Sequence, residues 1–128
     1  MSALQRILYV EDEPDIRAVA KIALEMVGGF TAKICSSGEE ALQEAVAFAP
    51  EMILLDVMMP GMDGPSTLKA LREMPELSQV PVAFMTAKVQ QNEVAHYKSL
   101  GALDVIPKPF DPMALAGQIR AIWNLHNG

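Results

Sequence analysis

Asp56 closes the apolar run Met52 to Leu55 and is followed, after Val57, Met58 and Met59, by Pro60, Gly61, Asp63 and Gly64, which force a turn. A carboxylate delivered at the carboxyl end of a buried strand lies where α/β sheets keep their ligands. An ionised Asp is acceptor-only, weakly nucleophilic and costly to hold beside apolar groups, so it needs a partner cation or a chemical purpose. Glu11 and Asp12 follow a second such run, Thr86 follows a third and Lys108 follows a fourth. Gathered at one rim, the carboxylates of Glu11, Asp12 and Asp56 repel one another. At about 5 Å, with an effective dielectric near 20, each pair costs on the order of 3 kcal/mol, so such a site holds a proton or recruits a cation. Mg²⁺, which takes one or two carboxylates with waters and a phosphate oxygen, suits it. The Thr86 hydroxyl and the N–H groups after it can donate, and Lys108 is a point charge suited to phosphate. A nucleophilic carboxylate, a metal site, a hydroxyl donor and an ammonium around one volume equip the chain for phosphoryl transfer onto Asp56.

The elements that carry these residues are short. Ile7 to Val10 reads as a strand buried on both faces, and Pro14 opens a helix capped by Asp12 or Glu13. Its stripe is Ile16, Val19, Ala20, Ala23 and Val27, and Gly28-Gly29 stop it. Phe30 to Cys35 suits a strand near the sheet edge, followed by a helix with Ala41, Leu42, Ala45 and Val46 inward, closed by Pro50. After the strand Met52 to Leu55 come a helix from Ser66 to Met74, a strand from Val80 to Met85 and a helix from Gln90 to Leu100. A strand from Leu103 to Ile106 follows, then Pro107-Lys108-Pro109-Phe110, then a helix whose apolar face is Leu115, Ile119, Ile122 and Trp123. Strands alternating with helices predict an α/β fold, a doubly wound five-stranded parallel sheet in the order 2-1-3-4-5 with five helices. That order brings Glu11 and Asp12 beside Asp56.

The totals narrow the function. A chain of 128 residues, 51% hydrophobic and without repeats or low-complexity tracts, closes one core, and a single domain over 1–128 with no output domain is expected. The net charge of -6 opposes direct nucleic-acid binding. No apolar run approaches the roughly 18 residues of a spanning helix, so membrane insertion is not expected. Cys35 is the only cysteine and the amino terminus lacks the features of a signal peptide, which together predict a cytoplasmic protein.

With Glu11-Asp12 after the first strand, Asp56-x-x-Met59-Pro60-Gly61-Met62-Asp63-Gly64 after the third, Thr86-Ala87 after the fourth and Lys108-Pro109-Phe110 after the fifth, the chain resembles a response regulator receiver domain over nearly its whole length. Each motif alone is weak, whereas all of them in order are specific. The resemblance implies a phosphoacceptor module of a two-component or phosphorelay system, with Asp56 phosphorylated from a phosphohistidine on a sensor histidine kinase or a histidine phosphotransfer protein. It implies Mg²⁺ held by Glu11, Asp12, Asp56 and the Met58 carbonyl, and phosphoryl oxygens bound by Thr86 and Lys108. It further implies a cis Lys108–Pro109 bond and an unnamed downstream protein target. The resemblance also implies a regulatory module, not an enzyme, that promotes its own phosphorylation and dephosphorylation. Met58 and Lys88 stand at positions that tune phosphoryl lifetime in similar proteins.

One position departs from that pattern. Where the family usually carries an aromatic residue three positions before the lysine, a side chain that swings inward on activation, this chain has Val105. A stiff, small, β-branched side chain cannot act as that switch. A docking module that works without phosphorylation is therefore one alternative. An Asp-nucleophile phosphatase is a weaker one, because such enzymes carry a second Asp two residues on, where Met58 stands. A flavin carrier of similar fold would have its phosphate repelled by Glu11, Asp12 and Glu13. Asp63 reads as a turn residue, Asp15 as a helix-dipole residue, His96 and His126 as helix-surface residues, and Trp123 as core.

Overall fold

Successive side chains of β1 (Arg6–Val10) point to opposite sides of the sheet, with Ile7 and Tyr9 in one core and Leu8 and Val10 in the other, all fully buried. A strand apolar on both faces must be covered on both, and helices cover it here. The computed structural model describes residues 3–127, so residues 1, 2 and 128 of the expected domain lie outside the described residues. After β1 come α1 (Pro14–Lys21), which runs on as a π-helical turn (Ile22–Val27), then β2 (Thr31–Cys35), α2 (Gly38–Phe48) and β3 (Met52–Asp56). They are followed by α3 (Gly64–Arg72), a 3₁₀ turn (Pro75–Leu77), β4 (Val82–Thr86), α4 (Gln91–Ser99), β5 (Asp104–Pro107) and α5 (Leu115–Asn127). Every strand pair is parallel, and the order β2-β1-β3-β4-β5 is the one expected.

One core joins Ile7, Tyr9 and Leu54 of the sheet to Leu24 and to Leu115 and Ile119 of α5. The other joins Leu8, Ile53 and Phe84 to Ala41, Ala45, Leu68, Leu71 and Tyr97. β3 is buried at every position, and each large apolar side chain in it contributes about 1.5–3 kcal/mol. Asp56 is therefore carried on a strand buried throughout, as is Thr86 on β4.

Several boundaries differ from expectation for local reasons. The first helix widens its bonding near its end from four residues to five: the Gly28 N–H donates to Ala23 O, five residues back, at 3.1 Å. This rotates Val27 off the buried stripe, leaving it 39% exposed, while Ala23 and Leu24 face the core. α3 begins at Gly64 and not at Ser66 because Asp63 is its N-cap, accepting from Ser66 N at 2.9 Å. It ends before Met74, which is extended ahead of Pro75. β4 starts at Val82, since Pro81 has no N–H for the ladder and Val80 N bonds instead to Leu77 O. β2 starts at Thr31 because Phe30 N is tied to Leu24 O, and β5 runs one residue later than predicted. Glu13 occupies the cap position of α1, but neither predicted capping side chain makes a cap hydrogen bond. Leu100 lies past the end of α4 and is exposed, so Tyr97 is the one buried residue on that helix. No helix among the described residues is long and apolar enough to cross a membrane.

Candidate functional site

Register aligns the strand ends that bear the chemistry. Val10 pairs with Leu55, Asp56 with Met85 and Thr86 with Pro107, so Glu11, Asp56, Thr86 and Lys108 emerge along one carboxyl rim. The rim is closed on itself after β3, where Val57 N donates to Met85 O and Gly64 N returns to Val57 O. Gly64 is required there: a Cβ would stand 2.5 Å from the Asp56 carbonyl oxygen and 2.8 Å from Val57 Cα.

Glu11 is fully buried and Asp56 is 3% exposed. Lys108 Nζ donates to Glu11 Oε1 at 2.8 Å and lies 3.2 Å from Asp56 Oδ2, while Glu11 Oε2 accepts from the Glu13 N–H at 3.2 Å. Burial pushes Asp56 up to about 7, and the neighbouring Glu11 charge adds to that, against the pull of Lys108. Glu11 moves the other way: burial opposes its ionisation, but the hydrogen bonds from Lys108 and Glu13 and the Lys108 charge outweigh it. Burial likewise disfavours the Lys108 ammonium, and its two carboxylate partners more than restore it. The result is one firmly ionised carboxylate, one ammonium and a second carboxylate that holds or loses a proton near neutrality.

Asp12 completes the acid cluster, with one oxygen from each of Glu11, Asp12 and Asp56 within 4.8 Å of the others. An all-oxygen set with its repulsion incompletely relieved by Lys108 fits a hard divalent cation. Thr86 stands at the next strand end, 4% exposed, and its Oγ1 accepts from Lys88 N at 3.1 Å. Its own hydroxyl proton remains to be donated into the crevice. Met58, on the loop after Asp56, is 70% exposed. Beside it an open cleft of about 580 Å³ separates that loop from His96 and Tyr97 of α4. The Lys108–Pro109 bond is cis.

Val105 is half-buried against the core that contains Phe84 and Tyr97. The Tyr97 ring meets that of Phe84 edge-on, centroids 5.4 Å apart. The aromatic beside β4 is thus supplied by α4. Asp15 lies in the first turn of α1, Cys35 is buried in β2 with its thiol pushed up to about 12 by burial, and Trp123 is half-buried against the core. Sequence reasoning missed Arg17, whose guanidinium donates to the carbonyls of both Glu11 and Asp12. Its signal is an arginine six and five residues after the acid pair, a spacing that has meaning only once the loop is folded back.

Residues 7–120 match the family model described as the response regulator receiver domain. Among curated relatives, the transcriptional regulatory protein CpxR of Escherichia coli is 39% identical over 119 residues, 93% of this chain and 49% of that protein. The alkaline phosphatase synthesis transcriptional regulatory protein PhoP of Bacillus subtilis is 36% identical over 118 residues, 92% of this chain and 48% of that one. The chain spans about half the length of these relatives. Among solved structures, chemotaxis protein CheY4 of Vibrio cholerae superposes with a TM-score of 0.85 at 28% identity, covering 94% of this chain and 99% of that one. Fold, rim chemistry and these likenesses lead to one conclusion: the chain belongs to the response regulator receiver domains, the phosphoacceptor signalling modules of two-component systems.

Proposed function

We propose that Asp56 is the phosphoacceptor and that Glu11, Asp12, Asp56 and the Met58 carbonyl hold Mg²⁺, with Thr86 and Lys108 receiving the phosphoryl oxygens. The observation that carries this reading is the Lys108 ammonium poised between two buried carboxylates, 2.8 Å from Glu11 and 3.2 Å from Asp56. Mg²⁺, when bound, supplies positive charge that offsets the carboxylates and the incoming phosphoryl oxygens. Asp56, once deprotonated, attacks phosphorus in line, the bond to the donor nitrogen breaks, and its electron pair leaves with the imidazole. Lys108 and the Thr86 hydroxyl neutralise charge on the equatorial oxygens. The same groups favour later attack by water, so the domain promotes both its own phosphorylation and its dephosphorylation.

The donor in this reading is a phosphohistidine on a sensor histidine kinase or a histidine phosphotransfer protein. An apolar hollow of about 210 Å³ lined by Ile16, Val19, Pro109 and Phe110 beside Lys108 supports a macromolecular donor. Residues 1–128 act as one receiver unit on a downstream protein, with no direct nucleic-acid contact, in keeping with the net charge of -6. A cytoplasmic location, where a single cysteine stays reduced, completes the reading.

The test is the intact mass after incubation with acetyl phosphate and Mg²⁺, beside Asp56→Asn and a metal-free sample. A gain of about 80 Da that needs both Asp56 and Mg²⁺ is expected. Absence of the adduct, together with no binding of beryllofluoride, would leave the phosphorylation-independent docking module as the better reading, the one that Val105 favours.

A further inference from the structure

We infer that Arg17 is the positioning residue of the divalent-cation site, holding the loop so that the carboxylates of Glu11 and Asp12 converge on Asp56. The inference rests on the metal assignment above and deepens it. A single nitrogen, Arg17 Nη1, donates to Glu11 O at 3.0 Å and to Asp12 O at 2.8 Å. The backbone N–H of the same residue donates to Glu13 O at 3.0 Å. The side chain thus gathers two consecutive loop carbonyls, and the third takes the first backbone hydrogen bond of α1. The other side of the loop is pinned independently, with Glu11 N on Cys35 O at 3.0 Å and Glu11 Oε2 on Glu13 N at 3.2 Å. A loop with its carbonyls bound from one side and its first amide from the other has little freedom to swing its acid side chains apart, even when they repel one another.

Two roles for Arg17 predict opposite signs. If the residue acted only as a nearby positive charge, removing it would deepen the negative potential of the cluster and tighten Mg²⁺. If it holds the loop, removing it spreads the carboxylates and weakens Mg²⁺, by about tenfold or more as for other groups that orient metal ligands. Because one nitrogen makes both side-chain bonds, a lysine ammonium can replace it.

The experiment uses the full chain and Mg²⁺ alone as the probe. The concentration of Mg²⁺ at half-saturation is read by calorimetric titration and by the rise in melting temperature, in wild type, Arg17→Met and Arg17→Lys, with circular dichroism confirming each fold. Arg17→Met is expected to need about tenfold more Mg²⁺, and Arg17→Lys to stay within about threefold of wild type. Labelling by acetyl phosphate should show the same displacement in Mg²⁺ requirement. If Arg17→Met does not fold, Arg17→Gln takes its place with the same expectation. Unchanged or tighter Mg²⁺ binding in the uncharged variant overturns the inference, as does a lysine variant as weak as the methionine one. A wild type that shows no Mg²⁺ response overturns the metal assignment itself, and is told apart because it needs no variant to be seen.

Discussion

Lys108 is held more closely by Glu11 than by Asp56: its Nζ is 2.8 Å from Glu11 Oε1 and 3.2 Å from Asp56 Oδ2. Glu11 is the fully buried partner and the one that stays ionised, so the ammonium neutralises the charge that can least escape to water. Replacing Lys108 with Met leaves that carboxylate with the Glu13 N–H as its remaining hydrogen bond among those described. A loss of about 1–3 kcal/mol is expected, read as a lower urea midpoint. A midpoint equal to that of wild type would mean that the pair contributes nothing to folding.

Asp56 makes an opposite demand. Its folded-state pKa, about 7, lies above the ordinary 3.8, so the folded protein binds this proton more tightly than the unfolded chain does. Its contribution is fully present below 3.8 and is lost as pH rises through 7. Glu11 is held below its usual range and Lys108 above its own. Without Mg²⁺, Asp56→Asn should therefore match wild type near pH 3 and exceed it by a margin growing to the order of 4 kcal/mol by pH 8. Urea melts of both proteins across that range would decide it, and a constant difference would contradict the raised pKa.

Cation binding should reverse the penalty. For a dissociation constant near 1 mM, 10 mM Mg²⁺ stabilises the folded state by about 1.4 kcal/mol, about 5 °C for a domain of this size. Because the cation and the Asp56 proton compete, half-saturation should rise as pH falls through 7, by up to about tenfold per unit. Differential scanning calorimetry at several pH values tests both statements. Asp12→Ala melting with the same Mg²⁺ gain as wild type would remove Asp12 from the site.

Gly64 places the proposed phosphoacceptor, Asp56, through backbone contacts alone. A Cβ there would meet backbone atoms of Asp56 and Val57 at 2.5 and 2.8 Å, and backbone cannot rotate aside as a side chain can. Gly64→Ala should cost about 1–3 kcal/mol and slow labelling of Asp56 by acetyl phosphate even under conditions where the variant is fully folded. Labelling at the wild-type rate would show that the strand end tolerates the shift.

Much of this is legible in the sequence for a physical reason. Strands buried on both faces announce themselves as apolar runs, and Asp56 and Thr86 close two such runs, so their place on the rim needs only the strand order. What escaped depended on contacts that spacing does not encode. Asp63 reads as a turn residue in the sequence because cap and turn share one composition, and only the bond from Ser66 N identifies it as the cap of α3. The π-helical turn displaced Val27 from the core through a single five-residue bond that periodicity cannot register. Arg17 was invisible because its partners are carbonyl oxygens, which every residue possesses.

Tyr97 is the only buried side chain on α4, in a helix otherwise polar or partly exposed. Burial of that one aromatic ring contributes about 2–3 kcal/mol, so much of the hold of this helix on the sheet passes through a single side chain, which meets Phe84 two residues before Thr86. With Val105 on β5, the ring that packs beside the strand of Thr86 belongs to α4.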